Sequence, residues 1–278
     1  MSENPLIQAY KKPAVFVSLP SGAKWYDPKP KLSVDNELAV YPMSARDELL
    51  TKTPDALFNG EANVALLESC CPDIQNPRQI PVNDLLVLLI AIRQATYGNK
   101  FDVDLECPKC KHLNQLTIDS AQLLSQIKEV EFATEVRLAS NFKIIVRPYT
   151  IDDRTLMQIQ NIKRQKMVDS LIASEADDNT KSKMFGETFV ELATLTVDVI
   201  TSCITSVQAP DSSDVIVDKD MIREWLQNIS KKDHDAIKDR IEALSDDGMD
   251  TNFKAKCIEC ANEWTQEVEL DVSNFFVG

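Results

Sequence analysis

Apolar and polar residues alternate in two short stretches built to the same plan. Phe101, Val103 and Leu105 alternate ahead of one cysteine pair, and Leu113, Leu116 and Ile118 follow it up to Asp119. Far along the chain Phe253 leads into a second pair, and Trp264, Val268 and Leu270 follow up to Asp271. A period of two marks strands, so each stretch predicts a hairpin with its cysteines at the turn.

The same reading places the other elements. Val15 and Val17, then Leu38 and Val40, predict short strands separated by a loop with Pro28 and Pro30. Ser44 and Asp47 form a capping box with the shorter acid, opening a helix through Leu49 and Leu50. Pro54 starts a short helical piece that Gly60 ends, and Val64, Leu67 and Cys71 recur at helical spacing until Pro72. Asn83 is placed to cap a helix from Asp84 to Tyr97, stopped by Gly98. Its run Leu85 to Ile92 is apolar on nearly every face, which predicts the central buried helix of an N-terminal lobe.

Between the two cysteine pairs lies about half the chain. Val136, Leu138, Ile144 and Val146 bracket Ser140-Asn141 as a hairpin. Thr150 and Asp153 cap a helix carrying Leu156, Ile159 and Met167, with Lys163, Arg164 and Lys166 as a solvated basic face. Ser174 to Thr180 reads as a polar loop between antiparallel helices. Phe185, Phe189, Leu192, Val199 and Cys203 mark an amphipathic helix that ends before Pro210, its aromatic stripe turned to the core. Val215 and Val217 suggest a short strand, followed by helices over Asp220 to Ile229 and Ser230 to Leu244, the latter stopped by Gly248.

Composition narrows the function classes. The chain has 278 residues, a formal net charge of -14 and a pI near 4.7. Nucleic-acid affinity comes mainly from Lys and Arg displacing counterions, so no nucleic-acid partner is expected. The longest apolar run is far short of the roughly 20 residues that cross a bilayer, so no membrane partner is expected either. Seven cysteines and a polar first dozen residues point to a reducing, intracellular setting. Six glycines and two histidines leave little material for phosphate loops or histidine catalysis, and GxSxG, Walker and HExxH motifs are absent. The carboxylate pairs Asp152-Asp153, Asp177-Asp178 and Asp246-Asp247 are adjacent, as caps and solubilising groups are, so no catalytic residue is assigned.

The candidate chemistry lies in Cys107-Pro108-Lys109-Cys110 and Cys257-Ile258-Glu259-Cys260. Two CxxC turns supply four thiolates, the ligand set of a closed, structural zinc site without a position for reactive water. Disulfides are one alternative. A redox CxxC is another, though it usually opens a helix after a strand, and strand-like alternation flanks both pairs here. The metal-ligand candidates are therefore Cys107, Cys110, Cys257 and Cys260, holding one structural zinc ion. A compact zinc ribbon separates its pairs by roughly 15 to 20 residues, so this ribbon is split by a long insert. His112 reads as a surface residue beside the metal and His234 as exposed; Cys70, Cys71 and Cys203 receive no role.

Leu19-Pro20-Ser21-Gly22 with Tyr26, Tyr41-Pro42-Met43 with Glu48, Gly60, Asp84, Arg93, Tyr97-Gly98 and the first CxxC follow one another in an order that resembles the baseplate hub proteins of T-even-like contractile-tailed phages. The resemblance covers roughly residues 13 to 120, with the second CxxC consistent at the far end. It implies a non-enzymatic protein that builds the central hub of a tail baseplate or assists its assembly. Implied partners are other tail and baseplate hub proteins, among them the tape-measure protein. The implied location is the host cytoplasm during assembly, then the virion tail. A transient assembly chaperone and a zinc-ribbon regulator of nucleic-acid machinery are the alternative roles.

The expected architecture is α+β. An N-terminal mixed lobe spans residues 1–100, the first zinc-ribbon half 101–120, a mostly helical insert 121–248 and the second half 249–278.

Overall fold

The computed structural model describes residues 12–51, 60–125, 127, 132–173, 186, 194–246 and 252–267. The chain clusters into two compact units, Met1–Val130 with Gly248–Gly278, and Glu131–Asp247. Helices and small antiparallel sheets are mixed in both, an α+β arrangement. Among the described residues no helix is long and apolar enough to cross a membrane.

In the first unit β1 (Val15–Ser18) pairs antiparallel with β2 (Glu37–Val40), Val17 opposite Leu38. Val17, Leu38 and Val40 are buried while Phe16 faces away, half exposed, as alternation requires. Helix α1 (Ala45–Thr51) begins with the anticipated box: the N–H and hydroxyl of Ser44 donate to Asp47 Oδ2, each at 2.7 Å. Helix α2 is Glu61–Cys70. Gly60 stands at its entry with φ 67°, a left-handed conformation suited to glycine. The helical piece expected from Pro54, which Gly60 was to end, lies outside the described residues.

Helix α3 (Val82–Tyr97) is the central element, and Val87 through Ile92 are all buried. It starts two residues earlier than the sequence suggests. Pro81, with φ fixed near −65°, takes the cap position, and Asn83 is a buried residue of the first turn rather than the cap. Gly98 ends the helix with φ 88°, its N–H donating to the Gln94 carbonyl.

Several of the residues that carry the resemblance meet around α3. Asp84, fully buried, accepts from the Ser21 N–H at 2.9 Å and from the Ser21 hydroxyl. Tyr26 lies beside the same carboxylate. The Tyr97 hydroxyl donates to Glu48 at 3.1 Å, and the Arg93 guanidinium lies 5.3 Å and 5.0 Å from the ring centroids of Tyr97 and Phe101.

Burial raises the pKa of Asp84 to about 6 despite the opposing hydrogen bonds from Ser21. The folded protein thus holds a proton there that the unfolded chain releases near the ordinary carboxylate value. Stability contributed by this group falls as pH rises from about 4 to about 6, by on the order of 3 kcal/mol. Asn at this position accepts from the Ser21 N–H and donates to its hydroxyl without ionising. Asp84→Asn should therefore melt higher than wild type at pH 7.5, with the gap closing by pH 4.5. Parallel melting curves across that range would exclude this account.

After α3, β3 (Lys100–Glu106) pairs with β4 (Leu113–Asp119), and the short helix α4 (Ser120–Ser125) follows.

The second unit is built on a four-stranded antiparallel sheet: β5 (Glu135–Arg137), β6 (Lys143–Val146), β7 (Ile204–Gln208) and β8 (Val215–Ile216), in that order. β7 corrects the sequence reading, which carried one helix from Phe185 to just before Pro210. The helical residues 194–203 end at Cys203 and the chain turns directly into a strand. Ile144 faces Val207 and Val146 faces Ile204, so the β-branched residues after Cys203 complete a core layer on β6. The Lys219 ammonium donates to the carbonyls of Thr201, Ser202 and Ile204, satisfying acceptors that this abrupt helix end leaves open.

Helix α5 (Ile151–Ala173) opens with the Thr150–Asp153 box, Thr150 N–H and hydroxyl both donating to Asp153. Leu156, one of the apolar residues read along this helix, is exposed, as are Ile162 and Val168. Helix α6 (Lys219–Asn228) is capped by Asp218, which accepts from the N–H groups of Asp220 and Met221, and buries Ile222 and Leu226. Helix α7 (Lys231–Asp246) packs Ile237, Ile241 and Leu244 inward against β6. His234, expected to be exposed, is half-buried, with Nδ1 3.8 Å from Asp235. The predicted loop at Ser174 to Thr180, the residues Phe185, Phe189 and Leu192, and Gly248 lie outside the described residues.

Strands β9 (Asn252–Lys256) and β10 (Glu263–Glu267) form the last hairpin, in the first unit. Val268 and Leu270, read as its continuation, fall beyond the described residues.

Candidate metal centre

The two cysteine turns are copies of one geometry. In the first, Cys107 N–H donates to the His112 carbonyl and Lys111 N–H to the Cys107 carbonyl, at 2.9 and 3.0 Å. In the second, Cys257 N–H donates to the Asn262 carbonyl and Ala261 N–H to the Cys257 carbonyl, again at 2.9 and 3.0 Å. Lys111 and Ala261 take matching positive φ values of 62° and 57°, which turn each chain back into its second strand.

Between the halves, Cys107 Sγ lies 3.7 Å from Cys260 Sγ and Cys110 Sγ 3.6 Å from Cys257 Sγ. Exchanging the two halves exchanges these two contacts, so the knuckles face each other across a local pseudo-twofold axis. All four sulfurs lie within 4.8 Å of one another. Zinc–sulfur bonds of about 2.3 Å at tetrahedral angles separate sulfurs by about 3.8 Å, and the two cross-contacts match that spacing. All seven cysteines are unbridged. Each pair sits at the tip of an antiparallel hairpin rather than at the start of a helix, which is not the setting of a redox CxxC.

The local field favours thiolates at the leading cysteine of each turn. Burial opposes ionisation of Cys257, but the N–H groups of Cys260 and Glu259 and the thiols of Cys110 and Cys260 outweigh it and bring the pKa to about 6. Cys107 is lowered in the same way by the N–H groups of Cys110 and Lys109. At Cys110 the His112 N–H favours the thiolate, yet burial and the three other thiols prevail and raise it to about 12. Four sulfurs this close cannot all carry charge without a cation among them.

A residue that the sequence reading passed over joins the halves. Asn114, fully buried on β4, accepts from the Ile258 N–H at 2.9 Å and donates to the His112 carbonyl at 2.9 Å. Its signal in the sequence was a polar residue where the other half has an aromatic one, Asn114 against Trp264, each seven residues after its leading cysteine.

The family described as T4 bacteriophage base plate protein matches residues 15–277, both cysteine turns and the insert included. The chain belongs to that family. Membership gives this baseplate protein a structural role in the virion tail, among other tail proteins. It extends the likeness seen in the sequence through the insert, which that likeness had not covered. No curated protein and no solved structure matched it.

Other sequence candidates stand apart from the baseplate protein's sulfur cluster. His112 is half-buried and contributes its carbonyl, and its ring is not among the clustered donors. Cys70 and Cys71 are buried around the end of α2. Cys203 is buried beside Arg147 and Asp153, in the second unit. Of the four lysines near the turns, Lys109, Lys111, Lys254 and Lys256, Lys111 pairs with Glu106 at 3.0 Å and Lys256 with Glu263 at 3.0 Å, both on the surface.

Proposed function

We propose that this protein is a non-enzymatic subunit of the baseplate hub that acts through protein–protein contacts, with Cys107, Cys110, Cys257 and Cys260 holding one zinc ion as a structural staple. The observation that carries the staple is the pair of cross-contacts at 3.7 and 3.6 Å between knuckles distant in sequence. Four thiolates fill the zinc coordination sphere, so the ion contributes folding energy and offers no open position to a substrate. Hub placement rests on the sequence resemblance, within the family membership found for residues 15–277. The lysine–glutamate pairs beside the turns disfavour a nucleic-acid regulator, which needs uncompensated cations there.

In this proposal the metal fixes the two hairpins, 101–120 and 249–278, into one platform, from which the N-terminal lobe, 1–100, and the insert, 121–248, present surfaces to other tail proteins. Quantitative mass spectrometry of purified virions tests the hub assignment. A fixed stoichiometry in finished particles, with crosslinks to central hub proteins, is expected. Presence in infected cells and absence from particles would instead identify a transient assembly chaperone. Elemental analysis of the purified protein should return one zinc per chain.

A further inference from the structure

The two knuckles are near-copies, yet the contact between them is one-sided. Asn114 Oδ1 accepts from the N–H of Ile258, the residue after the leading cysteine of the second turn. Under the pseudo-twofold exchange of halves, Asn114 maps to Trp264 and Ile258 maps to Pro108. The mate contact would therefore need an acceptor on an indole, which has none, and a donor on proline, which lacks the N–H. Both ends of one of two symmetry-related hydrogen bonds are removed, and both ends of the other are kept.

We propose that Asn114 is a positioning residue for the metal centre, holding the second cysteine turn against the first and making the two halves non-interchangeable. This rests on the metal reading above. The Asn114 side chain is fully buried and its amide geometry is determined, because Nδ2 donates to the carbonyls of His112 at 2.9 Å and Leu105 at 3.4 Å, leaving Oδ1 to face Ile258. The first-half backbone thus fixes the amide, and the amide fixes the peptide between Cys257 and Ile258. Two like halves brought together lack this bond: first with first presents Pro108 to Asn114, and second with second leaves the Ile258 N–H facing Trp264. Groups that orient metal ligands from outside the coordination sphere typically contribute 10–100-fold in affinity.

The test is a double-mutant cycle on zinc affinity, measured by competition with a chromophoric chelator for wild type, Asn114→Ala, Ile258→Pro and the double variant. Proline suits position 258, since Pro108 occupies the equivalent place and the Ile258 side chain is 77% exposed. Each single variant should weaken zinc binding by about 10–100-fold, and the double variant no further, because either change deletes the same bond. Hydrogen exchange adds a readout independent of metal affinity: the Ile258 amide should exchange faster in Asn114→Ala than in wild type. Multiplicative losses in the double variant, or an Asn114→Ala protein with wild-type affinity and unchanged exchange, would overturn the proposal. A wild-type protein that takes up no zinc defeats the metal reading and this proposal with it. One zinc per chain with a null cycle defeats this proposal alone.

Discussion

Cys257→Ser and Cys107→Ser should each yield a protein without bound metal that no longer unfolds cooperatively in its first unit and no longer supports tail assembly. Structural zinc sites in small peptides have apparent binding free energies of about 10–16 kcal/mol at neutral pH. That range is comparable to the roughly 5–15 kcal/mol by which a whole domain is stable. The loss is large because binding and folding are one event. The ligands come from turns on β3–β4 and β9–β10, separated by about half the chain, and the unfolded protein has no preformed site for the ion. A serine hydroxyl also leaves only three thiolates, an incomplete ligand set for a closed tetrahedral site. Elemental analysis together with calorimetry checks the outcome, and excess chelator added to wild type should reproduce it and zinc reverse it. Cys70→Ser is the control: that thiol lies outside the sulfur cluster, so metal content should stay at wild-type level. A soluble, metal-free Cys257→Ser protein that still assembled tails would refute the staple.

Asp153→Ala should cost the second unit about 3–5 kcal/mol, the range found when one partner of a buried ion pair is removed. Asp153 is 4% exposed and gathers donors from three parts of the chain. Arg147 donates at 2.7 Å, the Thr150 N–H and hydroxyl at 2.9 and 2.8 Å, and the Ser202 hydroxyl at 2.6 Å. One carboxylate therefore caps α5, neutralises Arg147 beside β6 and ties down the helix end that leads into β7. Alanine leaves the guanidinium half-buried without its counter-charge. Burial alone would raise the Asp153 pKa, but Arg147 and the hydroxyl donors outweigh it and hold the value below the ordinary carboxylate range. The sign follows: this stability is present above the unfolded-state pKa and is lost as pH falls through the lower folded one. Denaturant titration of wild type and variant at pH 7 and in acid should show the gap shrinking with acidity. A difference under 1 kcal/mol at pH 7 would contradict the central place given to this carboxylate.

Much of the secondary structure was legible because its signals are local. The Ser44–Asp47 and Thr150–Asp153 boxes act over three residues, and the alternation around the cysteines acts over two. Errors arose where a stronger neighbour, or a partner far along the chain, overruled a local pattern. Asn83 has the chemistry of a cap, but Pro81 and burial drew it into the first turn of α3. The run after Cys203 continues an amphipathic pattern, but pairing with β6 made it a strand. Leu156 has helical spacing with Ile159, yet it is exposed, since periodicity states which residues share a face and not what covers that face.

The sequence by itself determined the likeness to phage baseplate proteins, the acidic character, the positions of most strands and helices, and which four thiols have ligand spacing, because each depends on residue identity and short separations. Only the tertiary structure decided that those sulfurs converge, that Asn114 reaches the Ile258 N–H, that Asp84 receives Ser21, and that Asp153 joins Arg147 to Ser202. Each of these is a buried or part-buried polar contact between segments 49 to 153 residues apart, apart from the shorter Arg147–Asp153 pair. Such contacts form because a desolvated donor or acceptor must find a partner wherever the chain returns, and the return path is set by the packing of the whole core rather than by neighbours in sequence.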